Sequence, residues 1–212
     1  QNGVNAITIR EDDSVIEVRM TNGNNEIIIA NRNGRAIRFH EAAVRVMGRT
    51  ATGVRGITLD NDGQDEVVGM ICIKDLETES VMVVSEQGYG KRSEIEDYRK
   101  TNRGGKGVKC YKITEKTGNV IGAKAVNEEN EIMMITTEGI IIRITCAGIS
   151  ILGRITSGVK LINLDEGVTV ASLAKVREKA EGNTENGSSE EPTEETEEVF
   201  EEEDSQDTND AE

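Results

Sequence analysis

Two sets of landmarks recur along this chain at one spacing. "MGRTATGVRGITL" at 47–59, "NRGGKGVKCY" at 102–111 and "LGRITSGVKLINL" at 152–164 share a rhythm: basic residue, small residues, Gly-Val, basic residue, apolar run. Their glycines Gly53, Gly107 and Gly158 are 54 and then 51 residues apart. A second series, "EIIIANRNGRAIRF" (26–39), "SVMVVSEQGYGKRS" (80–93) and "EIMMITTEGIIIRI" (131–144), keeps the same offsets, with Ile27, Val81 and Ile132 equivalent. A period near fifty with several short strands per repeat is the signature of propeller-like blades.

Within a unit the coarse structure is readable. "VMVVS" (81–85) and "YGKRS" (89–93) flank "EQG", a short hairpin loop in which Gly88 supplies the positive φ. "KGVKCYKI" (106–113) and "NVIGAKAV" (119–126) flank "TEKTG", which reads as a second hairpin, so the pattern predicts about four strands per unit. "SEIEDYRK" (93–100) is expected to form a turn or two of helix. Residues 2–20 align with 52–70, so the sequence opens on the second half of a blade and reads as a piece of a longer protein. The expected fold is all-β, with about three and a half four-stranded blades over 1–177 and a separate acidic tail over 178–212.

Charge is segregated. The chain holds 25 basic and 40 acidic residues, but 15 of the acids and none of the basic residues lie in 181–212, which leaves 1–180 neutral. Within that body, residues 32–55 carry six Arg against one Glu, and 91–112 carry eight Lys or Arg against three acids. Residues 140–164 carry three basic residues and no acid. These stretches are equivalent in the repeat, and equivalent positions in a radial array fall on one rim. The candidate contacts are Arg32, Arg35, Arg38, Arg45, Arg49 and Arg55 in the first stretch. In the second they are Lys91, Arg92, Arg99, Lys100, Arg103, Gly104, Gly105, Lys106 and Lys109, and in the third Arg143, Arg154 and Lys160.

A basic rim suits an extended polyanion, and duplex DNA fits best, because phosphate contacts need only cations and exposed N–H groups at regular spacing. The glycines of "RGGKG" let backbone approach phosphates closely. Single strands fit less well, since their binders use aromatic platforms and this chain has two Phe and three Tyr. "GYGKRS" fails the P-loop pattern, with Ser85 and Arg92 at its determining positions. Tyr89, Tyr98 and Tyr111 read as packing or rim residues and His40 as a loop residue near the rim. Cys72, Cys110 and Cys146, odd in number and without C-x-x-C, read as buried free thiols, one per blade, in a reducing cytoplasm. No apolar run is long enough to span a bilayer as a helix, so no membrane partner is expected.

"GRTATGVRGI", "GYGKRS…DYRKTNRGGKGVK" and "IIIRITCAGISILGRITSGVKLI", in this order, closely resemble the C-terminal domain of the A subunit of bacterial DNA gyrase, over about residues 1–177. The resemblance implies a β-pinwheel that binds and wraps duplex DNA and so supports ATP-dependent negative supercoiling by a type II topoisomerase. It implies as partners double-stranded DNA and the B subunit together with the N-terminal part of the A subunit, in an A2B2 heterotetramer and a cytoplasmic, nucleoid-associated setting. It places no catalytic residue, metal or cofactor in this stretch; ATP and Mg2+ belong to other parts of the enzyme, and the DNA-cleaving tyrosine to the N-terminal part. The family's glycine-rich box, Q-R-R-G-G-(K/R)-G, lies in the first blade, whereas "NRGGKG" (102–107) matches its last six positions in a later blade, with Asn102 in place of Arg. The alternatives are the equivalent domain of topoisomerase IV and a propeller-like protein-interaction scaffold. The scaffold predicts apolar or mixed rims; an enzyme with its site at the blade centre, a further rival, predicts convergent His, Asp or Glu, and none converge in the sequence.

The segment 181–212 carries too little apolar surface to offset its ordering entropy and is expected to be disordered, serving either as a solubilising tail or as an acidic competitor for the basic rim.

Overall fold

The computed structural model describes residues 3–60 and 63–176. The expectation of a disordered tail over 178–212 lies outside the described residues. Three antiparallel sheets follow one another along the chain. β1 (Glu26–Asn31) and β2 (Arg35–His40) form the first hairpin; β3 (Val67–Ile73) adds to β1. β4 (Ser80–Ser85) and β5 (Tyr89–Glu94) form the second, and β7 (Val120–Val126) adds to β4. β8 (Glu131–Thr136) and β9 (Ile141–Thr145) form the third, and β11 (Val170–Lys175) adds to β8. The apolar, β-branched runs of β1, β4 and β8 take the central positions, where packing on both faces favours them.

The fourth strand of a sheet comes from the next unit. β6 (Val108–Lys109) pairs with β2, setting Ala36 opposite Val108 and Arg35 opposite Lys109. β10 (Val159–Lys160) pairs with β5 in the same way, Val159 opposite Gly90 and Lys160 opposite Tyr89. The expected hairpin of 106–113 with 119–126 is therefore not formed: β6 belongs to the first sheet and β7 to the second. The glycines that open these strands explain the exchange. Gly107 and Gly158 both have positive φ, +67° and +75°, and a Cβ on either would run into the carbonyl of Ala36 or of Gly90. Only a residue without Cβ brings the strand onto the neighbouring hairpin at that distance. The same exchange overturns one thiol per blade: Cys72 in β3 and Cys110 just after β6 both attach to the first sheet. Cys110 and Cys146 are buried and Cys72 is half-buried, all as free thiols.

Core residues alternate along the central strands, with the period of two that a sheet between two layers requires. Val81 and Val83 of β4 pack with Ile28, Ala30, Ile71 and Ile73 of the first sheet. Met82 and Val84 pack with Ile132, Met134, Val170 and Leu173 of the third. Ile27, Ile37 and Phe39 form a further cluster with Ile57. A single 3-10 turn follows each hairpin, at Glu41–Ala43, Ile95–Asp97 and Cys146–Gly148. At 93–100 this is the short helical turn expected, held to a single turn because Ser93 and Glu94 are still paired with β4. Residues 3–20 carry the repeat in sequence but form no strand, and Val4, Val18 and Met20 are exposed. The aligned β3 exists because β1 offers it an edge; residues 15–20 add to no such hairpin among the described residues.

Candidate nucleic-acid interface

The basic side chains fall into three groups by what their charged atoms touch, with Arg38 and Arg92 belonging to both of the first two. In the first group they touch carboxylates. Arg32 meets Glu66 at 3.4 Å and also Glu86, Arg35 meets Asp60 at 3.9 Å, and Arg143 donates from Nε to Glu131 at 2.8 Å. Glu26 takes both Arg38 and Lys100. Burial pushes the Glu26 carboxyl up, but the bonds and positive charge of Lys100 and Arg38 outweigh it and hold it below the usual carboxylate range. Each pair has at least one partner on a hairpin.

In the second group the cations are turned inward, onto backbone carbonyls. Arg38 Nη1 donates to Ile95 O at 2.9 Å and Tyr98 O at 3.1 Å. Its equivalent one unit on, Arg92, donates from Nε to Ile149 O at 2.9 Å. Lys91 is fully buried; its Nζ reaches Ser93 Oγ at 3.0 Å, Gly153 O at 2.8 Å and Arg154 O at 2.6 Å, and burial pulls its amine down to about 8. Lys91 and Arg92, expected on the rim, are thus corrected to interior positions. β5 is paired with β4 on one edge and with β10 and the 150–152 segment on the other, so both side chains are buried, and the tip of Arg92 reaches only as far as Glu128 at 3.6 Å. For the same reason the basic side chains of "GYGKRS" are not presented outward as a phosphate cradle. Half-buried Arg103 and Arg154 also donate to carbonyls.

The third group is free. Arg55, Lys109 and Lys160 occupy one position in three successive units; all are exposed and none has an ion-pair partner among the described residues. Arg45 and Arg99, just beyond the 3-10 turns, are likewise in phase and exposed, as are Arg49 and Lys106 singly. Lys112, absent from the candidate set, is exposed beside them; no signal but its place in the basic stretch marked it. Residues 45–59, 98–112 and 151–164 contain no carboxylate, so the acids of the neutral body are spent elsewhere.

These loops lie side by side, joined by direct bonds. Gly104 N donates to Gly56 O at 2.7 Å and Thr58 N to Gly105 O at 2.9 Å. One unit on, Lys112 N donates to Thr156 O at 3.1 Å and Ser157 Oγ to Lys112 O at 2.8 Å. Gly104 therefore spends its N–H inside the array instead of presenting it outward. Of the other singled-out residues, Tyr98 and Tyr111 are buried, and Tyr89 lies under Lys116, 5.3 Å from the ring centre. His40 Nδ1 accepts from Ala42 N at 3.1 Å, capping the first 3-10 turn. The arrangement is a row of free cations on loops of fixed relative position.

A family profile for the DNA gyrase C-terminal domain, a beta-propeller, matches residues 1–22, 25–74, 79–127 and 130–177, one match for each repeat read in the sequence. The chain belongs to this family. It is 48% identical over 184 residues to the A subunit of DNA gyrase from Staphylococcus aureus, covering 87% of this chain and 20% of that protein. The chain thus spans about a fifth of the length of such relatives. Among solved structures, a DNA gyrase A C-terminal domain matches with TM-score 0.73 and 29% identity, over 82% of this chain and 58% of the other. The C-terminal domain of a DNA topoisomerase IV matches with TM-score 0.75 and 27% identity, over 81% and 52%. The family thus bears out the β-pinwheel architecture, and exchange of a Gly-Val strand between neighbouring units is how this gyrase-family domain is assembled here.

Proposed function

We propose that this chain is the duplex-binding and wrapping module of a DNA gyrase A subunit. The observation that carries the reading is the row Arg55, Lys109 and Lys160: free, exposed, in phase, and set on loops bonded to one another. Each cation on such a row neutralises a phosphate and releases counterions, without reading bases. A path from one unit's loop to the next holds the duplex to the protein's own spacing, and bending a site costs about 1–6 kcal/mol that the added contacts must offset. Within gyrase this module presents a bent segment to the rest of the enzyme. Its assembly partners are the B subunit together with the N-terminal part of the A subunit, in an A2B2 heterotetramer, in the cytoplasm at the nucleoid. ATP and Mg2+ act on those other parts. The 48% identity to a gyrase A subunit supports gyrase over the topoisomerase IV alternative.

The test is topological. Relaxed closed-circular plasmid is incubated with rising amounts of the full chain, nicked and resealed by a relaxing topoisomerase, and then stripped of protein. Wrapping predicts a linking-number shift that grows with bound protein. Retardation in a gel without any such shift would reduce the module to a simple binder, and no retardation at all would favour the interaction scaffold.

A further inference from the structure

By charge, Arg103 and Arg154 belong with the phosphate contacts, yet their guanidinium groups are engaged with the protein itself. Arg103 Nε donates to Ala43 O at 3.1 Å and its Nη1 donates to Arg55 O. Arg154 Nε donates to Asp97 O at 2.9 Å and its Nη1 donates to Lys109 O. Ala43 and Asp97 are 54 residues apart, and so are Arg55 and Lys109. The same two-pronged bond therefore occurs twice, each time from one loop back onto the loop before it. One prong holds the end of the preceding 3-10 turn. The other holds the backbone of the residue whose side chain is the free cation.

A planar guanidinium that donates to two fixed carbonyls defines both position and orientation, whereas a lysine ammonium is a point donor. The clamp is reinforced on each side by the loop-to-loop bonds of Gly104, Thr58, Lys112 and Ser157. The distinction matters for a stiff polyanion. Cations on slack loops would neutralise as many phosphates, because counterion release counts charges and not their spacing. Only cations held at fixed separations can force curvature on the duplex.

We propose that Arg103 and Arg154 are positioning residues that clamp the backbones of Arg55 and Lys109, fix the pitch of the phosphate-contacting row, and so set how far bound DNA is bent and not how tightly it is held. This rests on the wrapping reading above. The experiment uses the full chain carrying Arg103→Lys, Arg154→Lys or both, with the corresponding Ala variants. Each is titrated against one duplex labelled with a fluorescent donor and acceptor on either side of the binding site. Energy transfer at saturation reads the bend, and the dependence of affinity on salt reads the number of phosphates contacted. Both Lys and Ala variants are expected to lose the wild-type rise in energy transfer. Their salt slopes are expected to change by less than the roughly 0.9 that one lost phosphate removes. Wild-type energy transfer in the Lys variants would overturn the inference, as would a slope reduced by about 0.9 per Ala substitution. If the double variant fails a melting control, Arg154→Lys alone, with the same two readouts, decides. A wild-type chain that binds without any rise in energy transfer would instead overturn the wrapping reading itself.

Discussion

At the scale of single residues, the same charge has opposite fates on neighbouring sheets. Lys91 is sealed between the second hairpin and the 153–154 backbone, while Lys109 stands in water. Burial lowers the Lys91 amine to about 8, against about 10.4 for a lysine in the unfolded chain. Between those values the unfolded chain binds more protons than the folded one, so this residue's contribution to stability rises with pH across that window. Cys110, beside it, works the other way: burial pushes its thiol up to about 12, so above about pH 8.5 the unfolded chain loses that proton first. The prediction is therefore a difference. The unfolding free energy of the wild type minus that of Lys91→Met should climb from pH 8 towards pH 10, by at most about 1.4 kcal/mol per pH unit. A difference that stays flat, measured by denaturant titration, would mean that Lys91 is not held as described.

At the scale of elements, the strand exchange decides which loops meet. β6 and β10 are two residues each, and their place depends on Gly107 and Gly158, whose backbone takes positive φ against a carbonyl. Gly158→Ala should cost about 1–3 kcal/mol from the strained backbone alone, and more from the collision with Gly90. Hydrogen exchange should show β5 losing protection along the edge that β10 covers, while β4 and β7 keep theirs. Unchanged protection at β5 would contradict the exchange. Much of this was legible from the sequence: the period, the hairpins and the turn at Gly88 follow from β-branched runs and glycines at fixed offsets. What was not legible is where "GVKCYKI" goes. "TEKTG" satisfies the local chemistry of a hairpin, and only packing against Ala36 and Arg35 assigns β6 to the earlier sheet. The candidate site divides likewise. The periodic basic stretches picked out Arg55, Lys109 and Lys160, but nothing in "GYGKRS" says that Lys91 and Arg92 point inward. Side-chain direction there depends on β5 being paired with β4 on one edge and with β10 and the 150–152 segment on the other, with the 153–154 backbone taking the Lys91 ammonium.

At the scale of the whole molecule, neutrality conceals an ordered surplus. Carboxylates pair the hairpin cations, carbonyls take the inter-unit ones, and the remainder lines the connecting loops. The 15 acids of 181–212 supply the opposite charge on the same chain. Removing 181–212 should raise affinity for duplex DNA at low salt, with the gain shrinking as salt screens the attraction; equal binding of both chains at low salt would assign those residues no part in it. The central claim is that the free row neutralises phosphates while the inward cations do not. It is tested most directly by the slope of log affinity against log salt on one duplex. Replacing Arg55, Lys109 and Lys160 together with Ala should reduce the magnitude of that slope by about 2.7, at roughly 0.9 per phosphate. Replacing Arg92 with Met should leave it at the wild-type value. An unchanged slope in the triple variant, or an equal fall in Arg92→Met, would contradict the account.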